Sequence, residues 1–572
     1  MSMMLAALSL LLAVQGSAFA QDKAARIDEL MSLYQKYGQF NGSVLVAEQG
    51  KVIYKKGLGL ANMEWNIPNE PDTKFRLGSI TKQFTATLIL QLVEQGKVKL
   101  DGKVSDYLPE YRKDTGARMT IHHLLSHTSG LPNYTAQPGF FETVSRNPFT
   151  VGEFVKKYAS GDLEFEPGTK FSYSNSGYFL LGAIIEKVTG KPYEQVLKEN
   201  ILDRVGMKNT GYDHYNTLIT KRASGYVKLP GGYQNAPYLD MTIPYAAGSL
   251  YSTVEDLYLW DQALYDDKIL SARSKELMFK PNLSDYGYGF AITKADIGPN
   301  KRAVPVIAHD GGINGFSTTI VRLVGDKDLI VLLDNTSGGR YLGGISEGLK
   351  NILYDQPYNR PKPSIADVLM KTMMEKDVAT AVRQYREYKA SQGSFYDFAE
   401  GELNSLGYQL LQTGKATEAI EIFKLNVEEH PKSSNAYDSL GEAYMIHGDK
   451  EPAIASYKKS VELNPGNANA TAKIESLTTV RQETKVDPKL YDVYAGDYEL
   501  APNFVLTITS EDGKLMGQAT GQPKVELFPT SETEFFLKVT DAQITFVKDG
   551  KGNVTGLVLH QGGQNIPGRK VK

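Results

Sequence analysis

A 34-residue period in the second half of the sequence restricts the fold more than any other feature. Between residues 403 and 480, identical residues recur 34 positions apart, in the pairs Leu406/Leu440, Gly407/Gly441, Gly414/Gly448, Ala419/Ala453 and Pro431/Pro465. Phe423 and Tyr457 keep the same register and supply a large side chain to each copy. Such a period is typical of stacked helix pairs, in which each pair buries its apolar face against the next. We therefore expect helical pairs in this part of the chain.

The period and its residue pattern resemble tetratricopeptide repeats. Because isolated repeats rarely bury enough apolar surface, the helical stretch from 365 to 390 is expected to cap the stack, which gives a helical domain over residues 361–482. The resemblance implies a groove for a protein or peptide partner. A helical spacer without a partner is the alternative.

The last part of the chain, residues 487–572, alternates between apolar and polar residues with period two. The alternation is clearest at 504–508, 534–537, 544–547 and 555–559, with Asp512-Gly513 and Asp549-Gly550 as turn formers. This pattern predicts a small antiparallel β-barrel or sandwich. The Tyr494-x-Gly-x-Tyr498 opening resembles the lipocalin-like modules appended to some secreted serine hydrolases.

The first part of the mature chain, residues 21–360, mixes helical and strand patterns. A helix at 24–37 and a hairpin at 43–54 begin it, and strands at 287–292, 304–308, 317–323 and 329–333 precede a helix at 345–353. Residues 80–280 are mostly helical. We expect an α/β domain whose antiparallel sheet is built from both ends of this region, flanked by terminal helices, with a helical subdomain inserted between them.

The sharpest chemical signal is Gly78-Ser79-Ile80-Thr81-Lys82, which opens an amphipathic helix. Positions i and i+3 share one helix face, so the Lys82 amine can reach the Ser79 hydroxyl. A buried lysine has a lowered pKa and can act as a base, and a helix N-terminus stabilises an oxyanion. Taken alone the motif is weak, because an N-cap serine with a surface lysine gives the same spacing.

Two further motifs follow in order. Tyr173-x-Asn175 precedes a helix; a phenol beside a lysine ammonium can have a lowered pKa and act as a base, and the Asn175 amide can bind a substrate carbonyl or the lysine. Later, a strand runs into His309-Asp310-Gly311-Gly312. Glycines there let a substrate approach closely, and the Gly312 N–H can complete an oxyanion hole with the Ser79 N–H.

The ordered set Ser-x-x-Lys, Tyr-x-Asn and His-x-Gly, with residues 124–131 between the first two, resembles the penicillin-recognising serine hydrolases of the class C β-lactamase and D,D-peptidase type. The resemblance covers residues 24–356 and implies an acyl-enzyme on Ser79. It also implies that Lys82 and Tyr173 are the acid/base pair, that Asn175 contacts the substrate and the lysine, and that His309 lines the opposite wall of a cleft.

His309-Asp310-Gly311 departs from the Lys-Thr-Gly sequence usual in β-lactamases of this type and matches related D,D-peptidases, D-aminopeptidases and esterases. Histidine is mostly neutral at pH 7, so the cation near a substrate carboxylate is lost. Asp310 adds a negative charge, which favours esters, amides or substrates with a free amine if its side chain faces the cleft. We also expect the loops 134–150 and 223–241 to shape the pocket.

Other site classes find no support in the sequence. His122, His123 and His127 lack the glutamate and third ligand of a zinc site, so we expect them to pack and anchor a loop, and we predict no metal and no cofactor. The chain has no cysteine, which excludes thiolate catalysis. With 63 Lys and Arg against 66 Asp and Glu, it lacks the basic excess of a nucleic-acid binder.

The N-terminus has the pattern of an export signal. An apolar stretch at 5–14 ends in Ala18-Phe19-Ala20, which predicts cleavage after Ala20 and a periplasmic or secreted protein with no membrane span afterwards. We therefore predict an exported serine hydrolase, with peptidase or amidase activity on small or D-amino-acid-containing peptides ahead of carboxylesterase and β-lactamase activity. A non-catalytic peptide-binding protein that acts through its repeats is the alternative from another class.

Overall fold

The computed structural model describes residues 22–137, 139–297, 302–478, 483–501, 504–538, 542–561 and 564–571. The predicted signal sequence lies outside these residues. The described residues form two compact units. The first runs to Asp367 and includes Ser394–Asp397; the second comprises Val368–Gly393 and the residues from Phe398 onward.

The centre of the first unit is a six-stranded antiparallel sheet built from both ends of the region, as predicted. Its strands, in chain order, are β1 Gly42–Glu48, β2 Lys51–Leu58, β3 Ala291–Ile297, β4 Arg302–Ile313, β5 Phe316–Leu323 and β6 Asp328–Asp334. Their spatial order is β3-β4-β5-β6-β1-β2. Strand β4 is longer than the sequence indicates, because an Asn314-Gly315 turn pairs it with β5 as far as Ile313. The predicted His309–Gly312 segment therefore belongs to the sheet.

Both faces of this sheet are covered, so its central strands are apolar on both sides. In β6, Leu329, Val331 and Leu333 face one core, while Ile330 and Leu332 face the other. The second core contains the helix over residues 22–36 and the helix Leu342–Leu353. The first contains the inserted helices, and this layer carries the predicted serine and lysine.

The inserted region is mainly helical, as predicted. Its α-helices are Thr81–Glu94, Val104–Tyr107, Lys113–Gly116, Ile121–Leu125, Val151–Tyr158, Asn175–Thr189, Tyr193–Leu197, Asp203–Val205, Tyr245–Gly248, Val254–Ala263 and Ala272–Met278. Short strands accompany them at Leu60–Asn62, Ile67–Pro68, Phe75–Arg76, Gly211–Tyr212, Tyr226–Leu229, Gly232–Asn235, Leu250–Ser252 and Thr336–Ser337.

The predicted repeat is a run of antiparallel helices. They are Glu400–Gln412, Ala416–Glu429, Ser434–His447, Lys450–Leu463 and Ala468–Thr478, and the predicted cap consists of Ile365–Glu375 and Val378–Gln392. The period has a packing cause. A Cβ at Gly407 would lie 2.5 Å from the Phe423 ring, and one at Gly441 would lie 2.9 Å from the Tyr457 ring, so each glycine makes room for the aromatic of its own pair.

The C-terminal module is a closed antiparallel barrel of eight strands, which confirms the barrel alternative. The strands are Gly496–Ala501, Phe504–Glu511, Lys514–Ala519, Val525–Pro529, Glu534–Phe536, Ala542–Lys548, Val554–Gln561 and Gln564–Lys570. Tyr498 donates a hydrogen bond to the Tyr494 carbonyl, and the Tyr494 ring stacks on Phe546 inside the barrel.

Candidate active site

Ser79 lies at the first turn of a buried helix. A 3₁₀ turn, Gly78–Ile80, runs directly into Thr81–Glu94 and leaves the serine half-exposed. Gly78 has a φ of +54°, and a Cβ there would lie 2.9 Å from the Gly312 carbonyl oxygen. Glycine at position 78 is thus required by both the left-handed backbone and the close approach of β4.

Lys82 is fully buried one turn after Ser79. Its Nζ lies 3.0 Å from Ser79 Oγ, 2.8 Å from Asn175 Oδ1 and 2.9 Å from the Ala247 carbonyl oxygen. Burial lowers the pKa of Lys82 well below its ordinary value, and its hydrogen-bond partners in the described chain include no carboxylate that would counteract this effect. The amine therefore tends toward the neutral form, in which it can accept a proton.

The Asn175 amide orientation follows from its neighbours. Asn175 is the first residue of the Asn175–Thr189 helix, and Asn133 Oδ1 accepts hydrogen bonds from both the backbone N–H and Nδ2 of Asn175. Nδ2 also donates to Thr135 Oγ1. Asn175 Oδ1 must therefore face Lys82. The supporting residues Asn133 and Thr135 were not identified from the sequence, where an isolated Asn-Tyr-Thr in a loop gives no signal.

Tyr173 joins this group through both its ring and its hydroxyl. Lys82 Nζ lies 4.9 Å from the centroid of the Tyr173 ring. Burial raises the pKa of Tyr173, and a hydrogen bond with Ser79 opposes this rise without cancelling it. The expectation of a lowered phenol pKa is therefore wrong: the ring is enclosed, and the neighbouring lysine is itself driven toward its neutral form. Tyr173 keeps its proton near neutral pH.

The edge of β4 closes the other side of the site. Strand β3 pairs with β4 from Arg302 to Ala308, and residues 309–313 continue along the Gly78–Ile80 turn. A Cβ at Gly311 would lie 1.9 Å from the Leu77 carbonyl oxygen, and the same oxygen accepts a hydrogen bond from Thr318 Oγ1. At Gly312, by contrast, a Cβ would meet no described atom within 4 Å. Gly311 is thus the contact point, and Gly312 faces open space beside Ser79.

His309 lies next to the aromatic rings of Tyr173 and Tyr286. Its Nδ1 lies 2.6 Å from the Asp310 carbonyl oxygen, which can only accept, so Nδ1 carries the proton and Nε2 accepts from the Tyr286 hydroxyl at 2.8 Å. Burial, followed by the nearby Lys82, lowers the pKa of His309 to about 4. The imidazole is therefore neutral, and both of its nitrogens are occupied.

Asp310 points away from His309. Successive side chains of a strand alternate between faces, and Asp310 is exposed whereas His309 is buried. Asp310 Oδ1 accepts a hydrogen bond from Thr319 Oγ1, its cross-strand partner on β5. The structure does not bring this carboxylate to the cavity beside Ser79, so the contact gives no support to the expected charge effect on substrate choice.

A cavity of 350 Å³ opens beside Ser79. Gly78, Ser79, Asn175, Ala247, Gly248 and Gly312 form its inner end. The two predicted loops contribute Tyr134, Thr135, Phe140, Phe141 and Leu239, and the outer wall includes Ile243, Phe316 and Asn314. The predicted residues Ser79, Asn175 and Gly312 line this cavity, while Lys82, Tyr173 and His309 lie behind it.

The side chains of His122, His123 and His127 do not converge on one point. His122 Nδ1 lies 2.7 Å from the Tyr288 hydroxyl, and His123 Nδ1 accepts the Thr120 backbone N–H at the start of its own helix. His127 instead packs on Tyr173, with ring centroids 4.1 Å apart. Within the described ranges, no group of three or more His, Asp or Glu side chains is arranged to hold a metal ion.

Comparisons with known proteins agree with this arrangement. A family model described as beta-lactamase matches residues 24–341, a tetratricopeptide repeat model matches 434–467, and a domain of unknown function, DUF3471, matches 480–570. A penicillin-binding protein of Bacillus subtilis (strain 168) is 32% identical over 369 residues, covering 60% of this chain and 78% of its own length.

Two further relatives carry other names. The esterase EstB of Burkholderia gladioli is 27% identical, over 59% of this chain and 97% of its own length. The crystal structure of a D-amino acid amidase from Ochrobactrum anthropi SV3 superimposes with a TM-score of 0.50 at 27% identity, covering 58% of this chain and 98% of the amidase. Because the family model matches more than half of the sequence and the fold and motifs agree with it, the chain belongs to the β-lactamase family, a family of serine hydrolases.

Proposed function

We propose that the protein is a serine hydrolase that forms an acyl-enzyme on Ser79, with Lys82 as the base that activates it. The main evidence for this proposal is that the Lys82 amine is fully buried and lies 3.0 Å from Ser79 Oγ. A neutral amine has two N–H groups and one lone pair. Asn175 Oδ1 and the Ala247 carbonyl oxygen can only accept, so they take the two N–H groups and the lone pair remains for the Ser79 O–H.

In the proposed acylation step, the Ser79 proton moves to Lys82 Nζ while Oγ bonds to the substrate carbonyl carbon. The negative charge on the carbonyl oxygen is stabilised by the Ser79 and Gly312 N–H groups, the two donors that flank the inner end of the cavity. Tyr173 remains protonated and donates its proton to the leaving amine or alcohol as the carbon–nitrogen or carbon–oxygen bond breaks. Lys82 then returns a proton to Tyr173, and water releases the acyl group by the reverse sequence.

The scissile bond we propose first is the amide of a small or D-amino-acid-containing compound. Support comes from the likeness to a D-amino acid amidase and to a penicillin-binding protein, and from the histidine at position 309. Ester hydrolysis is the second candidate, supported by the likeness to an esterase. The mechanism is the same for both, because only the leaving atom differs.

The remaining predictions concern location and partners. We infer export from the apolar 5–14 stretch and its Ala18-Phe19-Ala20 ending. Among the described residues, no helix combines the length and apolar character needed to cross a bilayer. The tetratricopeptide match supports a protein or peptide partner for the helical repeats.

Labelling with a fluorophosphonate probe tests the proposal. The probe should attach covalently to Ser79, as located by peptide mapping, and Ser79→Ala should abolish the label. Ser126→Ala provides a matched control, because Ser126 is a buried serine that bonds the His122 carbonyl and Thr128. Folded protein that does not label at Ser79 would overturn the proposal and favour the non-catalytic binding protein.

A further inference from the structure

The lining of the cavity beside Ser79 also bears on the choice of substrate. None of the described residues that line it bears a formal charge. Its largest side chains are apolar and include Phe140, Phe141, Leu239, Ile243 and Phe316. A group that enters this cavity exchanges water for a lining whose larger part is aromatic and aliphatic carbon.

The polar side chains of the lining are already bonded to the protein. The Tyr134 hydroxyl donates to the Ile243 carbonyl, Asn314 Nδ2 donates to the Pro237 carbonyl, and Ser337 Oγ accepts the Gly315 N–H. Thr135 Oγ1 accepts from Asn175. The hydroxyl protons of Thr135 and Ser337 remain available, but these are neutral donors and supply no charge to pair with a charged group on the substrate.

The charged and titratable groups nearest the site do not replace the lysine of the Lys-Thr-Gly sequence. Arg76 lies over the Phe316 ring, but its charge is paired with the buried Asp213 carboxylate. His309 is neutral with both nitrogens bonded, and Lys82 is buried behind the cavity with three close partners. A substrate carboxylate in the cavity would lose part of its hydration without gaining an ion pair, and such a loss is unfavourable.

From this lining we propose that the group held beside Ser79 is uncharged and apolar, and that the enzyme discriminates against substrates bearing a carboxylate there. The inference rests on the proposed serine hydrolase activity. It narrows the substrate class to neutral esters and amides with short aliphatic or aromatic groups, and it disfavours compounds with a free carboxylate near the scissile bond.

Two matched substrate pairs test this proposal. p-Nitrophenyl butyrate and p-nitrophenyl hemisuccinate differ in charge on the acyl side, and N-acetyl-D-alanyl-D-alanine and its C-terminal amide differ on the leaving side. We expect kcat/KM to favour the neutral member by about 10- to 100-fold in the pair whose variable group enters the cavity. If neither pair shows a preference for its neutral member, the proposal is overturned.

If the enzyme turns over too slowly for these assays, the proposal can be tested by competition with the fluorophosphonate label. The same compounds are then used to protect Ser79 from the fluorophosphonate, and the neutral members should protect at lower concentration. Loss of labelling at Ser79 altogether would mean that the proposed function fails. Labelling with no preference for neutral compounds would mean that the substrate class alone is wrong.

Adding a positive charge to the cavity lining tests the same proposal in the opposite direction, because it should improve the use of carboxylate substrates. Phe141 is 46% exposed, so Phe141→Arg adds a cation to the cavity without burying it. We expect the variant to gain about tenfold in relative kcat/KM for the carboxylate member. Leu218→Arg is the matched control, because Leu218 is 91% exposed and lies outside the cavity lining. An equal gain in both variants would mean that overall charge, and not the cavity, sets the preference.

A separate observation concerns His127, which the proposed chemistry does not use. The His127 carbonyl accepts the Ser172 N–H at 2.9 Å, and His127 Nδ1 accepts the Ser174 N–H at 3.1 Å. The two bonds hold the backbone on either side of Tyr173. The imidazole also stacks on the Tyr173 ring, with 4.1 Å between centroids and 32° between planes.

The conformation of His127 is specialised for this contact. Its φ is +56°, a region that residues with a Cβ adopt at some cost in energy. Since Nδ1 accepts, Nε2 carries the proton, and this buried Nε2 has no hydrogen-bond partner among the described residues. The left-handed backbone and the unpaired buried N–H both lower the stability of the fold, which indicates that His127 has a role other than stability.

We infer that His127 is a positioning residue that fixes the Tyr173 hydroxyl beside Ser79. Two variants separate its contributions. His127→Asn keeps an acceptor and tolerates the left-handed backbone but lacks the ring, whereas His127→Phe keeps a ring and removes the acceptor. We expect kcat to fall by about 10- to 100-fold in each, with KM nearly unchanged, because misplacing a reacting group by about 1 Å has an effect of this size.

Coupling to Tyr173 distinguishes positioning from general stability. In a Tyr173→Phe background, the same His127 substitutions should lower kcat by less than about threefold, since there is no hydroxyl left to position. His123→Asn is the control for altering a neighbouring histidine. Full, additive losses in the double variants, or an unchanged kcat in folded His127→Asn or His127→Phe, would overturn the inference.

Discussion

Lys82 is a buried amine with no negatively charged group among its hydrogen-bond partners, and this favours its neutral form. A structural lysine at such a depth would normally pair with a carboxylate, because an unpaired buried ammonium is unfavourable. Here the partners are a serine, an amide oxygen and a backbone carbonyl. The neutral histidines His127 and His309 face the same space, and burial is the main cause that lowers the pKa of each.

Replacement of Lys82 by methionine tests the proposal that Lys82 is the base. Methionine matches the length of the chain and removes the lone pair, so the rate of Ser79 acylation should fall by about 10²- to 10⁴-fold. The wild-type rate should rise with pH as Lys82 loses its proton, with a midpoint below the ordinary lysine pKa of 10.5. Stopped-flow labelling with a fluorophosphonate across pH measures both effects.

The control for this substitution is Lys187→Met, because Lys187 is an exposed lysine paired with Glu110. It should retain the wild-type rate and pH profile. A Lys82→Met protein that is folded and still acylates at the wild-type rate would show that another group removes the Ser79 proton.

The buried His309 makes the stability of the first unit depend on pH in the acidic range. Its pKa is about 4 in the folded protein and 6.5 in an unfolded chain, so the unfolded state binds the extra proton between these values. Stability is therefore full above pH 6.5 and falls as the pH drops toward 4, by up to about 3 kcal/mol from this residue. His309→Asn should lose that part of the slope, as measured by urea unfolding at pH 4.5, 5.5 and 7. Parallel slopes in the two proteins would contradict the assignment.

At the scale of elements, the free edge of β4 holds the turn that carries Ser79. Gly311→Ala would place a methyl group 1.9 Å from the Leu77 carbonyl oxygen and 2.2 Å from Thr318 Oγ1. Because backbone atoms cannot move aside easily, strand β4 and the segment at Leu77 must separate. We expect the free energy of unfolding to fall by about 1–3 kcal/mol, as is typical when one methyl group overpacks a core. Acylation should slow by about 100-fold as the Ser79 N–H and Gly312 N–H move apart.

Gly312→Ala is the stability control for this prediction, because a Cβ at Gly312 meets no described atom within 4 Å. Its thermal unfolding midpoint should match that of the wild type. If Gly311→Ala and Gly312→Ala unfold alike, the close approach at Leu77 does not hold the edge in place.

Elements with a clear local periodicity were predictable from the sequence. The 34-residue period places a large aromatic side chain at the same register position of each helix pair, so the packing role of Phe423 and Tyr457 could be predicted, and the structure adds that Gly407 and Gly441 make room for them. The sheet was predictable from both ends because its strands are apolar. Ser79 and Lys82 were predictable as neighbours, since helical spacing alone sets their contact.

Features that depend on long-range contacts were not predictable. The lowered phenol pKa expected for Tyr173 required knowing how deeply the ring is enclosed, and the side-chain direction of Asp310 required the exact register of β4 on β5. The contact of His127 with Tyr173 joins residues 46 positions apart through a left-handed backbone that no residue preference marks. Strand ends, for example the extension of β4 to Ile313, depend on pairing and not on propensity.

At the scale of the whole molecule, the two tryptophans offer a probe that reports on one unit. Trp260 is fully buried, stacks on Phe84 and donates to Gln83 Oε1, and Trp65 is exposed; both belong to the first unit. The helical repeats of the second unit contribute much of the helical circular dichroism but no tryptophan. Each unit has its own core, so each is expected to unfold in its own transition.

Phe423→Ala tests this separation. Phe423 is fully buried against Gly407, and removing its ring should destabilise the repeats by about 3–5 kcal/mol. We expect the circular dichroism transition to move to lower urea while the tryptophan fluorescence transition and the rate of Ser79 labelling stay unchanged. Tyr437→Ala, at a repeat position outside the buried core, is the control and should move neither transition. A parallel shift of both probes in Phe423→Ala would mean that the two units unfold as one cooperative structure, and that the repeats stabilise the catalytic fold directly.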